Sequence, residues 1–132
     1  MEKMTPELTV LALAALLQVA QMCAYSVAAN MQVDAKTAFG PRDTPVQLSG
    51  VAARLQRAMN NHFEGLVLFS IAVGIVAISG QSTGFTAACA WVYLGARIAY
   101  VPAYAFGLSP WRSIIWMIGI AATTALLIAG LI

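Results

Sequence analysis

Apolar residues run along this chain in four long blocks separated by polar breaks. Leu8–Ala29 is interrupted by Gln18, Gln21 and Ser26. Phe63–Ser79 is extended upstream by a polar-faced stretch from about Val51, Phe85–Phe106 carries Arg97, and Ser113–Ile132 holds no charge. A helix needs about 20 mostly apolar residues to cross a bilayer. Each block is long enough, the second when its polar start is counted. The pattern predicts an all-α fold, an integral membrane four-helix bundle in one domain over 1–132, with helices at about 7–29, 51–79, 85–106 and 110–131. At ~1.5 Å per residue the second helix is about 40 Å long. That exceeds a hydrocarbon core of ~30 Å, so its first turns stand at the interface or the helix tilts.

The breaks differ in kind. Gly80-Gln-Ser-Thr-Gly84 is a short turn that makes helices two and three antiparallel neighbours. Gly107-Leu-Ser-Pro110 reads as a stop followed by a start, with Ser109 as N-cap and Pro110 as first helical residue. The connection Asn30–Gly50 is long and carries Gly40-Pro41 and Pro45. Its length suits a lid over a site or a plain tether.

Polar residues inside the blocks are arranged, not scattered. Arg54, Arg57, Asn61 and Glu64 fall at about 0°, −60°, −20° and −80° on an ideal helix, so one narrow face carries all four. Charge this close to a membrane segment is costly and usually serves a ligand or an ion. In helix three, Arg97, Tyr100 and Tyr104 fall at about 0°, −60° and −20°. Tyrosine brings a donor and acceptor on an apolar body, so it can line a cavity at membrane depth. Taken alone, Tyr104 also fits an interfacial aromatic belt. Pro102 leaves the Ile98 carbonyl without its helical donor and marks a candidate kink. Arg112 stands in the first turn of helix four, where backbone amides favour anions; snorkelling to headgroup phosphates is the simpler reading. His62 lies at about +80°, off the stripe, and reads as an interfacial or packing residue rather than a base.

Composition narrows the field. Of 132 residues, 61% are hydrophobic and 9% charged, which belongs to an integral membrane protein rather than a soluble domain. The net charge of +2 speaks against nucleic acid as a partner. Cys23 and Cys89 lie inside apolar blocks without C-x-x-C spacing, so neither a disulfide framework nor a zinc site is indicated, and both read as small buried residues. No metal-ligand cluster, P-loop or nucleophile with its base is visible. Ser26-Val-Ala28 looks like a signal-peptide cleavage site, but Glu2 and Glu7 against Lys3 are not a positive leader, and an uncleaved helix is expected. Lys36, Arg42, Arg54, Arg57, Arg97 and Arg112 all fall on the side of the first and third connections, and Lys3 on the other. The positive-inside rule places that arginine-rich side in the cytoplasm and both termini outside.

Three motifs together resemble a known family. Arg-x-x-Arg-Ala-x-x-Asn-x-x-Glu at Arg54–Glu64 is similar to the helix-two signature of the MAPEG family, membrane-associated proteins in eicosanoid and glutathione metabolism. Arg-x-x-Tyr-x-x-x-Tyr at Arg97–Tyr104 looks like its helix-three pattern, and Ser-Pro-Trp-Arg112-Ser like its start of helix four. The resemblance implies a homotrimer that binds glutathione between subunits at the cytoplasmic end and presents its thiolate to lipophilic electrophiles at the lipid boundary. Carried over by position, Arg54 and Arg57 serve the glutathione carboxylates or the salt-bridge network around them, Asn61 and Glu64 its peptide and ammonium, and Arg97, Tyr100 and Tyr104 the same pocket. Arg112 faces the sulfur as the catalytic group. Glutathione is then a co-substrate, and no metal is expected. The short, loop-poor chain looks like a bacterial member, which implies an inner membrane with periplasmic termini.

The chain departs from the pattern at two points. Gly65 stands where several eukaryotic members have tyrosine, and helix one offers Gln21, Ser26 and Asn30 where some synthases have an inward arginine. These favour a glutathione transferase, with peroxidase activity on lipid hydroperoxides as an extension, over a specific eicosanoid synthase. The alternative is a non-catalytic membrane protein that binds glutathione or an anionic lipid. A small four-helix multidrug exporter is disfavoured, because such exporters centre on an acid in helix one and none follows Glu7 there.

Overall fold

The computed structural model describes residues 4–31, 50–108 and 110–132. It contains helices α1 (Pro6–Asn30), α2 (Gly50–Ser79), α3 (Gly84–Ala105) and α4 (Trp111–Leu131). Most of the first connection, with Lys36, Gly40, Pro41, Arg42 and Pro45, lies outside the described residues, as does Ser109 and the cap expected of it.

The helix ends have local causes. At α1 the Thr5 hydroxyl accepts the Leu8 amide at 3.3 Å, and Pro6 occupies a position whose N–H has no helical partner to lose. α2 stops at Gly80, whose φ of +69° is open to a residue without Cβ. There the Gly80 and Gln81 amides donate back to the Ala77 and Val76 carbonyls, a Schellman closure. Gly107, with φ +66°, repeats that closure after α3, on the Tyr104 and Ala103 carbonyls. Thr83 and Thr86 form a capping box that starts α3.

Pro110 is a correction: it is the N-cap of α4, not its first helical residue. The turn at Gly107 leaves the Leu108 carbonyl to accept the Arg112 amide and the Pro110 carbonyl to accept those of Ser113 and Ile114. Pro110 therefore serves as an acceptor, for which it needs no N–H. Pro102 lies within α3, which continues to Ala105.

α2 touches each of the other helices, and α1 and α4 flank the α2–α3 pair from opposite sides. The core is made of Val10 and Ala14 from α1, Phe69, Val73 and Val76 from α2, Ala90, Tyr93 and Leu94 from α3, and Ala122 and Leu126 from α4. Its many small residues let backbones approach closely, which is how helices associate where lipid removes the hydrophobic drive. The Phe69 and Tyr93 rings stack at 3.9 Å and 5°. The outside is as apolar as the inside: Leu16, Val19, Val67, Leu68, Trp91, Ile98, Met117 and Ile118 are all exposed. That surface requires a lipid solvent, so the chain is an integral membrane protein.

Two expectations change. α1, α2 from Ala52, and α4 are long and apolar enough to cross a membrane, whereas α3 is not counted among them. The 22 residues of α3 span about 33 Å, so length is sufficient. Thr86, Tyr93, Arg97 and Tyr100 dilute its apolar character, and all four are buried against the other helices. Cys89 is buried as expected, but Cys23 is exposed. It lies about 200° round the helix from the buried Gln21, on the outer face of α1.

At the start of α1, Glu7 is fully buried. Its two carboxylate oxygens accept from Ser82 Oγ at 3.0 and 2.9 Å, and one also accepts from Thr86 Oγ1. This ties α1 to the α2–α3 turn.

Candidate functional site

The opposite end of the bundle gathers the arginines. Arg97 is 3% exposed, and its stem runs along α4 at Gly119, where an added methyl would touch Cδ at 3.8 Å. Its head crosses to α2, where Nη2 donates to Asn61 Oδ1 at 3.0 Å and a methyl on Gly65 would lie 3.9 Å from Nη1. A Cβ at either glycine would make ordinary van der Waals contact with the Arg97 side chain. The Tyr100 ring lies under it, with Cζ 4.6 Å from the centroid. The negative face of an aromatic ring is a favourable seat for a cation away from water.

Tyr104 performs the same service for two more cations. Arg57 Nε donates to its hydroxyl at 3.1 Å, and Arg112 Cζ lies 4.9 Å from its centroid. The rings of Tyr100 and Tyr104 are 5.5 Å apart and tilted by 53°. Arginines from α2, α3 and α4 therefore converge on a pair of tyrosines one helical turn apart on α3.

A cleft of about 330 Å³ opens beside this pair, lined by Asn61, Tyr100, Tyr104, Arg112, Ser113, Trp116 and Met117. Guanidinium, hydroxyl and amide groups share the lining with an indole and a thioether. No acid is among the described lining residues. The cleft suits a ligand that is anionic at one end and apolar, or bonded to something apolar, at the other.

The residues singled out from sequence fall into three groups. Asn61, Tyr100, Tyr104 and Arg112 line the cleft. Arg57 and Arg97 hold those lining residues from outside it. Arg54 lies against the end of α3, where a methyl on Gly107 would sit 3.4 Å from its Cζ. Glu64 is exposed and lies outside the lining, so the face shared by Arg54, Arg57, Asn61 and Glu64 does not close on one cavity within this chain.

Other polar contacts were not anticipated. His62 is fully buried, its Nδ1 2.7 Å from Gln18 Oε1. Gln56 Nε2 donates to the Tyr25 hydroxyl at 3.3 Å. The signal for the α1 side was present: Gln18, Gln21 and Tyr25 lie at about 0°, −60° and −20°. Trp116, one turn after Arg112, was visible in the same way but reads like any membrane aromatic.

The class defined so far is an integral membrane helix bundle with guanidinium groups seated on tyrosines beside a partly apolar cleft. The MAPEG family model matches residues 8–132, nearly the whole chain, and the chain belongs to the MAPEG family. No curated protein matches it.

Proposed function

We propose that the chain is a membrane glutathione transferase that works as a homotrimer in a bacterial inner membrane, with both termini periplasmic and the site on the cytoplasmic side. The observation that carries this reading is the union, in one cleft, of Arg112 and Tyr104 with Trp116 and Met117. Family membership supports it, since the MAPEG family includes glutathione transferases and related enzymes.

Glutathione has two carboxylates, one ammonium and a thiol. Arg54, Arg57 and Arg97 answer the carboxylates or hold the groups that do, Asn61, Tyr100 and Tyr104 offer hydrogen bonds, and Glu64 answers the ammonium. Glu64 is outside this chain's cleft, which suits a ligand lying between two subunits. Arg112 faces the sulfur. A free thiol has a pKa of ~8.5 and ionises more readily beside a cation. Its proton leaves to water. The sulfur lone pair then forms a C–S bond to an electrophilic carbon held against Trp116 and Met117, and the leaving group departs with its electrons. With a lipid hydroperoxide, the thiolate attacks the outer oxygen and the alcohol leaves. A second glutathione then displaces water from the resulting sulfenic acid to give the disulfide.

The test mixes purified protein with glutathione and a chromogenic aryl halide. Thiolate absorbance followed by conjugate formation is the expected result. Thiolate without turnover across many electrophiles leaves a non-catalytic binder, and absence of glutathione binding removes the reading altogether.

A further inference from the structure

We propose that Tyr104 is a positioning residue with two separable duties: its ring orients Arg112 for the thiolate, and its hydroxyl holds Arg57 for binding. This rests on the glutathione reading above. The geometry separates the duties by atom. Arg57 Nε meets the hydroxyl at 3.1 Å, while its Cζ is 5.8 Å from the ring centroid. Arg112 sits closer over the ring, at 4.9 Å. One side chain thus takes one arginine at its rim and the other on its face.

The physics of the two contacts differs. A hydrogen bond from a guanidinium to a phenol fixes direction and is lost when the hydroxyl is removed. A guanidinium over a ring is held by the ring's quadrupole and by stacking, and survives loss of the hydroxyl. Arg112 enters from the first turn of α4, where the helix dipole disfavours a cation. The ring offsets that and keeps the head in the cleft. Tyr100 supports the arrangement from behind: it packs on Tyr104 at 5.5 Å and takes Arg97 on its own ring. Among the described residues, neighbouring cations are therefore kept apart by aromatic plates.

The test titrates the thiolate absorbance of bound glutathione against pH, alongside affinity, in the full-length protein in detergent. Tyr104→Phe keeps the ring and is expected to weaken glutathione binding severalfold while the thiolate titrates at its parental pH; in an Arg57→Ala background that weakening should vanish, and a full loss persisting there overturns the hydroxyl's duty towards Arg57. Tyr104→Leu removes the ring and is expected to move that titration up by about half a unit. A trifluorinated phenylalanine at position 104 keeps the shape but weakens the ring face, and should give an intermediate upward shift even if the leucine variant folds poorly. In a cycle with Arg112→Ala, the shift from losing the ring should vanish, because the ring acts through that arginine. An unmoved titration in the fluorinated variant, or a shift that persists without Arg112, overturns the proposal while the glutathione reading stands. Failure of the parent protein to form thiolate at all removes the glutathione reading itself.

Discussion

Removing Asn61 from beneath Arg97 should destabilise the bundle more than removing Arg97 itself. Arg97 is 3% exposed, and its Nη2 finds Asn61 Oδ1 at 3.0 Å. Asn61→Ala leaves that buried charged donor unpaired. Hydrogen bonds to charged groups contribute ~1.5–3 kcal/mol, and an orphaned buried charge sits at the upper end, so a loss of about 2–3 kcal/mol is expected. The ring of Tyr100 remains under the guanidinium and keeps the loss from growing further. Arg97→Met removes the charge and leaves only the half-buried Asn61 amide, which can turn towards the cleft, for about 1 kcal/mol. Asn61→Leu combined with Arg97→Met replaces both partners with apolar groups and should fall within about 1 kcal/mol of the parent. The assay is equilibrium unfolding in mixed detergent micelles, followed by helical circular dichroism. An Asn61→Ala loss below about 0.5 kcal/mol, or a double variant as weak as the two single losses together, would refute the argument that Arg97 depends on this amide.

Two further outcomes are expected. Phe69→Ala, at a fully buried ring stacked on Tyr93 at 3.9 Å, should cost about 3–5 kcal/mol in the same assay. Gly107→Ala forces a Cβ onto a φ of +66° beside Arg54, so it should cost about 1–2 kcal/mol. It should also weaken glutathione binding in calorimetry, whereas alanine at the exposed Gly95, with nothing within 4 Å of its Cβ, should not.

What could be read from sequence was whatever a single helix determines. The spacing of Arg97, Tyr100 and Tyr104 fixes their common face before any partner is known, and that face is turned inward. The glycine stops after α2 and α3 are likewise local. What one helix does not determine is which neighbour meets it. Asn61 and Glu64 are close in azimuth, yet Asn61 bonds Arg97 while Glu64 stays outside the cleft. Cys23 looked buried because lipid-facing and core positions share one apolar alphabet, and only packing distinguishes them. Trp116 and Met117 are illegible as lining residues for the same reason. His62 shows the reverse: it was set off the stripe by angle, and the structure gives it to α1 through Gln18. Pro110 lies one position outside the helix expected to start on it, because its role depends on the carbonyls that the preceding turn leaves free.

The tie between Glu7 and the α2–α3 turn has a mechanical meaning. A buried carboxylate takes hydroxyls from Ser82 and Thr86 at that end, and a tightly packed apolar core follows it. At the arginine end, among the described residues, α1 and α2 share the Gln56–Tyr25 amide-to-phenol bond and the inner Gln18–His62 pair, beside the buried Ala29, Ala52 and Ala53. The fixed point of α1 is thus Glu7, about a helix length from the cleft that α2, α3 and α4 line.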